Sequence, residues 1–293
     1  MKFEFDRTFG VEIELLSRYG YETLSTILTE KLSPHGMSFR QASWNDRSNK
    51  WRVKSDSSLS APRGYTGIEI VTPVLQGQEG YDKLELLLKL FADINLRASQ
   101  LGEEPVFKIN ASCGLHVHWG VSDWRIKHFR NLFKRYCKFE YAIDKIMPNS
   151  RRRNNGQYCE SVVDRFYSSH SVECMQMEEA FKEIDRTRSA RRLQQKIGTR
   201  YVKLNIESFW THGTIEFRHH SGSFDLEKIT AWLFLTGSMV KAADTMRGIR
   251  AGSLAPEKMA NKFGMMFKGL TKVHKDLGQF SDFFKQRQRQ LRG

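Results

Sequence analysis

The first strongly patterned stretch of the chain, Phe9–Leu16, alternates apolar and polar positions. Its apolar residues, at every second position, fall on one face of an extended chain, and Glu12 and Glu14 fall on the other. This two-residue period predicts a β-strand with one face in the core and two carboxylates opposite. Taken alone, the stretch also fits an edge strand whose acidic face meets water.

Three later stretches show the same alternation, and each carries ligand-type side chains opposite an apolar face. Their polar positions are, in chain order, Glu69, then His116 with His118, then Glu216 with Arg218. If the four strands share a sheet, so much charge on one half-buried face requires a compensating ligand. Carboxylates combined with imidazole favour Mg²⁺ or Mn²⁺ over structural zinc, which prefers paired cysteines.

Between and after these strands the pattern is helical. Residues 22–32 and 84–96 repeat large apolar residues every three or four positions, which predicts amphipathic helices. Residues 124–147 predict a longer helix, and the chain from residue 226 onward is helical in pattern. Residues 201–209 and the last of the four strands predict a hairpin joined by a turn.

These elements predict an α+β fold. We expect a largely antiparallel sheet of about six strands, with a polar, metal-binding concave face and helices packed on the other face. Residues 1–225 would form the catalytic domain, with basic loops near 150–158 and 186–198, and residues 226–293 a helical portion packed on it. The basic loops are either solvated, a mobile lid, or an anchor for an acidic acceptor.

Composition limits the partners and the compartment. The 293 residues carry a net charge of +14, which predicts attraction to anions such as nucleotides, nucleic acid or acidic peptides. The four cysteines are widely spaced and predict free thiols in a reducing compartment. No apolar run of about 18 residues and no signal-peptide pattern is present, so we expect a cytoplasmic protein without membrane spans.

Six short motifs, taken in order, resemble the amidoligase family of carboxylate–amine ligases. They lie between Phe9 and Gly222 and read FGVEIEL, D-x-S-L (from Asp56), GIEIVTP, CGLHVHWG, RYVKLNIESFW and TIEFRHHSG. The resemblance implies the fold of the glutamine synthetase and glutamate–cysteine ligase catalytic domain. It also implies ATP and two or more Mg²⁺ or Mn²⁺ ions as cofactors. No GxxxxGK[ST] phosphate loop is present, as expected for such a fold.

The resemblance also implies metal ligands. Glu12 and Glu14 would divide between metal ions that sit on the nucleotide phosphates. Glu69 would complete the site on the side of Glu14. His116 would join Glu12 and Glu216 at the second ion.

Further side chains would contact the substrates. Arg218 would hold the γ-phosphate of ATP and the acyl phosphate, and His118 would face the ATP phosphates. Arg200 or Lys203 would contact phosphate, although Arg200 also fits a solvated loop. Asp56 would orient or deprotonate the attacking amine. Relatives commonly have glycine after this aspartate, and here Ser57 follows it.

The leading hypothesis is therefore an ATP-dependent amide ligase that works through an acyl phosphate. Its carboxylate and amine substrates would be an amino acid, a peptide or a protein, and no loop or interface pattern specifies them or the oligomeric state. Two alternatives stay open. One is a metal-dependent hydrolase with the same polar face, and the other is a basic nucleic-acid-binding protein.

Overall fold

The computed structural model describes residues 2–43, 45–166, 173–246, 248–251 and 262–291, with only the backbone given for 173–176. The chain forms two compact units. The first comprises Met1–Trp119 and His220–Thr230, and the second comprises Gly120–His219 and Ala231–Gly293.

The first unit contains a sheet built around its N-terminal strand. The strands are β1 (Phe9–Ser17), β2 (Phe39–Gln41), β3 (Trp51–Ser55), β4 (Thr66–Val71), β5 (Phe107–Lys108) and β6 (Gly114–Gly120). Their order is β2-β3-β4-β1-β6, with β5 also beside β1. Strand β1 pairs antiparallel with β4, β5 and β6, and β3 pairs antiparallel with β4, whereas β2 and β3 run parallel.

The apolar face of this sheet forms the core of the first unit. The apolar side chains of β1 are almost completely buried, as are those of β4 and β6 that face the same way. Helix α1 (Tyr21–Leu32) packs against β2 and β3. Helix α2 (Gly77–Gln100) brings Tyr81 to within 5.0 Å of Phe3, measured between ring centroids, and Phe3 also stacks on Trp119. Aromatic contacts of this kind stabilise the core beyond the area they bury.

The second unit is mainly helical. Its helices are α3 (Ile126–Asp144), α4 (Glu173–Arg186), α5 (Ala190–Ile197) and α6 (Ser208–His212), most of α7 (Leu226–Thr245), then α8 (Lys262–Thr271) and α9 (Ser281–Gln290). Strands β7 (Leu204–Asn205) and β8 (Thr214–Ser221) pair antiparallel. Strand β8 and helix α7 each run partly in both units, since residues 220–230 belong to the first.

The strand pairing expected of a hairpin is confirmed, but its connection is not a simple turn. The intervening residues form the short helix α6, which ends at Gly213. This glycine has a φ of 66°, and its N–H donates to the Phe209 carbonyl. Left-handed glycine is a common way to end a helix. The α+β class and the largely antiparallel strand arrangement agree with the sequence prediction.

Two further features bear on the sequence expectations. Within the described residues, no helix is both long enough and apolar enough to cross a bilayer. Cys137 and Cys159 are buried free thiols, and Cys113 is also buried. The side chain of Cys174 lies outside the described residues.

A buried network of charges joins α3 to the β7–β8 pair within the second unit. Lys203 Nζ lies 2.8 Å from Asp144 Oδ1 and 3.3 Å from Glu140 Oε1. His219 Nε2 lies 2.7 Å from Asp144 Oδ1, and His219 Nδ1 lies 2.7 Å from the Tyr136 hydroxyl. Burial and the nearby Lys203 ammonium lower the pKa of His219 to about 4. Burial disfavours the imidazolium form, so this histidine is neutral near pH 7.

The buried network predicts that the free energy of unfolding depends on pH through His219. In the unfolded chain His219 takes up a proton below about pH 6.5, whereas in the folded protein it stays neutral down to about pH 4. Its contribution to stability is therefore complete above pH 6.5 and is lost as the pH falls through this window. In mid-window, His219→Gln should flatten the pH dependence of the unfolding free energy by about 1.4 kcal/mol per pH unit.

Urea denaturation at a series of pH values between about 4.5 and 7 measures this slope. His35→Gln, at an exposed histidine, is the matched control. Identical slopes for the wild-type protein and His219→Gln would contradict the role assigned to the network.

Candidate active site

Strand register places the polar residues of three neighbouring strands in rows across the first unit's sheet. Glu12 on β1 lies directly opposite His116 on β6, and Glu14 lies directly opposite Glu69 on β4. Residues directly opposite each other project to the same face of an antiparallel sheet. His118, two residues after His116, projects to that face as well. The structure therefore brings together all five ligand-type residues predicted on these strands.

The two histidines of this polar face lie close to its glutamates on β1. Glu12 is flanked by two imidazoles, with His116 Nδ1 at 3.1 Å and His118 Nε2 at 3.3 Å from its oxygens. The other nitrogen of His116 lies 3.6 Å from Glu14 Oε1. The backbone N–H of Gly114 donates to Glu14 Oε2 at 2.6 Å. A main-chain donor of this kind gives no side-chain signal in the sequence.

The surroundings of the face shift the pKa values of Glu12 and Glu69 in opposite directions. Burial raises the pKa of Glu12, but hydrogen bonds with His116 and His118 outweigh burial and hold this pKa well below its ordinary value. Burial raises the pKa of Glu69 to about 8, with a further increase from the nearby charge of Glu12 that Lys54 only partly offsets. The face therefore gathers more carboxylate than its own cations compensate.

This donor set fits a divalent cation. Three carboxylates and two imidazoles on one half-buried face match the oxygen-rich coordination that Mg²⁺ and Mn²⁺ prefer. Glu12 and His116 could share one ion, and Glu14 and Glu69 could share another. A divalent charge would also offset the burial and the charge of Glu12, which together raise the pKa of Glu69.

Lys54 on β3 is a residue of this face that the sequence analysis did not assign. It lies directly opposite Glu69, and its Nζ is 3.0 Å from Glu69 Oε2. The signal was present, because Trp51 and Val53 alternate with Arg52 and Lys54 as in the other strands. Lys54 is not a metal-ligand residue type, but a carboxylate-rich face requires cations and a lysine supplies one.

Asp56 follows β3 and is held in a tight turn. Its Oδ1 accepts hydrogen bonds from the backbone N–H and the hydroxyl of Ser58, at 2.9 and 2.6 Å. Gly67 allows the turn to approach β4, because a Cβ there would lie 2.2 Å from the Asp56 carbonyl oxygen. Among the described residues other than glycine, only Arg153 has a positive φ. The backbone therefore accommodates Ser57 without strain where relatives commonly have glycine.

The two predicted residues of β8 lie in the second unit and contact each other. Arg218 Nη1 donates to Glu216 Oε1 at 2.5 Å. Asn205, directly opposite Glu216, donates to its other oxygen at 2.7 Å. The backbone N–H of Arg218 donates to the Lys203 carbonyl. This pair is therefore fixed by β7 through both side-chain and main-chain contacts.

The two candidate phosphate contacts before β8 differ in exposure. Lys203 is 0% exposed, and its ammonium is neutralised by Glu140 and Asp144. The phosphate contact expected of Lys203 stays a prediction. Arg200 is exposed and stacks on the Tyr201 ring at 5.0 Å, so its predicted role stays open to experiment.

Comparison with protein families agrees with the site's composition. The profile of a family described as "putative amidoligase enzyme" matches residues 6–240. The chain belongs to the amidoligase family. The match includes every candidate site residue, from Glu12 to Arg218.

Other comparisons are less informative about this amidoligase. No curated protein matches its sequence. Among solved structures it is similar to a bifunctional glutathione synthetase from Pasteurella multocida, with a TM-score of 0.46 and 10% identity. The similarity covers 98% of this chain and 47% of the synthetase, so the amidoligase spans about half the length of that protein.

The donor set predicts divalent-metal binding that depends on Glu14. Glu14→Gln should weaken Mn²⁺ binding at least about 10-fold, because it replaces a charged donor with a neutral amide. Isothermal titration calorimetry on the metal-free protein measures this change. Glu79→Gln, at an exposed glutamate of α2, is the matched control for loss of one negative charge. Equal affinity in the two variants would show that the polar face is not the metal site.

Proposed function

We propose that this amidoligase uses ATP to join a carboxylate and an amine through an acyl-phosphate intermediate. The observation that carries the proposal is the group of three carboxylates and two imidazoles on the polar face of β4, β1 and β6. Membership in the amidoligase family supports the ligase class. The substrates would be amino acids, peptides or proteins that present these two groups.

The residue types suit the first half of this reaction. A carboxylate is a poor electrophile until a phosphoryl group is attached to it, and negative charge develops on the phosphoryl oxygens during transfer. Divalent ions at Glu12, Glu14, Glu69 and His116 would neutralise part of that charge. Within the chain itself, His118 would donate to the phosphate oxygens, and the Arg218 guanidinium would hold the transferred group. Glu216 would be a further metal ligand.

The second half of the reaction requires a neutral amine. An amine is protonated near neutral pH, so a carboxylate that accepts its proton makes it nucleophilic. We assign this role to Asp56. In the turn, Asp56 Oδ1 accepts both hydrogen bonds from Ser58, and Asp56 Oδ2 takes part in neither of them. The amine would then attack the acyl carbon, and the phosphate would leave as the amide forms.

The proposal predicts ADP release that requires both substrates. Full-length protein with Mg²⁺ and ATP, tested with pairs from a panel of amino acids and dipeptides, should release ADP only when a carboxylate and an amine are both present. Glu14→Gln and Arg218→Ala should each reduce this release at least about 100-fold, because each removes charge that stabilises phosphoryl transfer.

Two controls match these variants in charge. Glu79→Gln and Arg289→Ala change exposed residues of α2 and α9 and should retain activity. Circular dichroism and melting temperature establish that each variant is folded. Full turnover in Glu14→Gln or Arg218→Ala would overturn the assignment.

The same assay separates the alternatives. Metal-dependent hydrolysis of phosphate or amide bonds without any requirement for an amine would favour the hydrolase. Salt-sensitive binding of nucleic acid that Glu12→Gln leaves unchanged, in a protein that releases no ADP, would favour the nucleic-acid-binding function.

A further inference from the structure

A second concentration of charge lies within the second unit, away from β7 and β8. It consists of Arg135, Lys138, Lys145 and Lys262, which we term the basic cluster. Arg135 and Lys138 lie three residues apart on α3, Lys145 directly follows this helix seven residues later, and Lys262 begins α8. This spacing places the first three on one side of α3. Helices α3 and α8 pack against each other.

Lys262 is the buried centre of this basic cluster. Its side chain belongs to a residue that is 4% exposed, and its Nζ has no hydrogen-bond partner within the described part of the chain. Arg135 is 6% exposed, and its Nε is likewise buried without a partner among the described residues. Buried cations are ordinarily paired with a carboxylate or with several acceptors, because an unpaired one is strongly destabilising.

The charged groups that shift the pKa values of Lys262 and Lys138 are positive. Burial, with smaller effects from Lys138 and Lys145, lowers the pKa of Lys262 to about 8. Burial and the charge of Arg135 lower the pKa of Lys138 as well. In the described ranges, neither Lys138 nor Lys262 forms an ion pair with a carboxylate.

The acidic residues of α3 do not supply the missing charge. Glu140 and Asp144 both contact Lys203, which is thereby compensated by two carboxylates. Lys203 and Lys262 are thus both buried in the same unit, but among the described residues counter-ions are present only for Lys203. Lys262 therefore has the surroundings expected of a cation whose counter-ion comes from solution.

We propose that the basic cluster binds a phosphate-type oxyanion, either inorganic phosphate or a terminal phosphoryl group of a larger molecule. Such a group carries nearly two negative charges near neutral pH and offers three or more acceptor oxygens. It can accept hydrogen bonds from several cations at once, which a single carboxylate or chloride does less well. The proposal does not depend on the catalytic function and concerns a separate set of residues.

The anion can approach from the surface. Lys145 is exposed and Lys138 is half-buried, so the cluster extends from solvent to the buried amino group of Lys262. The lysine side chain has a flexible four-carbon stem, which lets its amino group turn toward an anion held at Lys138 and Lys145. Lys138 Nζ also donates to the Arg250 carbonyl at 2.8 Å, which fixes it at this location.

The test measures thermal stability of the full-length protein with and without sodium phosphate, at constant ionic strength set with sodium chloride. A ligand that binds only the folded state raises the melting temperature. At about five times its dissociation constant, phosphate should raise the melting temperature of the wild-type protein by about 2–4 °C. Lys262→Met should abolish this increase. Without phosphate it should melt above the wild-type protein, because a buried unpaired charge has been removed.

Lys268→Met is the matched control, since it removes one positive charge from the exposed side of the same helix. It should keep the wild-type response to phosphate. Lys138→Met is the second test variant and should reduce the response even if Lys262→Met does not fold.

Tripolyphosphate distinguishes inorganic phosphate from the terminal phosphoryl group of a larger molecule. A larger shift than with phosphate indicates a phosphoryl group of a larger molecule, and an equal shift indicates the free ion.

Three outcomes would overturn the proposal. The first is no phosphate-induced shift in the wild-type protein. The second is an equal shift in Lys262→Met, or in Lys138→Met where Lys262→Met does not fold. The third is a loss of the shift in Lys268→Met as large as in the test variants, because the response would then follow net charge alone.

Discussion

The constraint on which the candidate site depends is the direct opposition of Glu14 and Glu69 on adjacent antiparallel strands. Like charges in this position repel at short distance, so the face that carries them must be compensated. The chain supplies part of the compensation through Lys54 beside Glu69 and the Gly114 N–H beside Glu14. The pKa of Glu69 nevertheless remains raised. The carboxylates that these groups do not compensate make this face suited to a divalent ion.

The sequence predicts which residues lie on this face, because the two-residue alternation of a strand is visible in the sequence itself. Alternation identified Glu12, Glu14, Glu69, His116 and His118 before any register was known. It could not predict that Glu14 meets Glu69 or that Glu12 meets His116, since register depends on how separate strands align. Helix α6 was missed for a related reason, because five residues between two strands are too few to show a helical period.

Long-range partners explain the remaining difference between prediction and structure. The sequence places Lys203 in a motif beside a strand but does not indicate its ion-pair partners. Its counter-ions, Glu140 and Asp144, come from a helix 63 and 59 residues earlier in the chain. No local pattern links these positions. Lys262 shows the converse, because its burial without a carboxylate partner from the described part of the chain appears only once α3 and α8 are packed together.

The groups of charged residues around Lys203, Glu69 and Lys262 differ in how their buried charge is compensated. A charge that leaves water must find a partner, and the partner decides what the cluster does. Lys203 finds carboxylates within the chain, so its cluster stabilises the second unit. Within the described ranges, Lys54 is the cation paired with Glu69, which leaves its face ready for a divalent ion. Lys262 has no partner among these residues, which leaves its cluster ready for an anion. Because uncompensated charge costs stability, residues such as Glu69 and Lys262 lie where function, more than packing, accounts for the residue type.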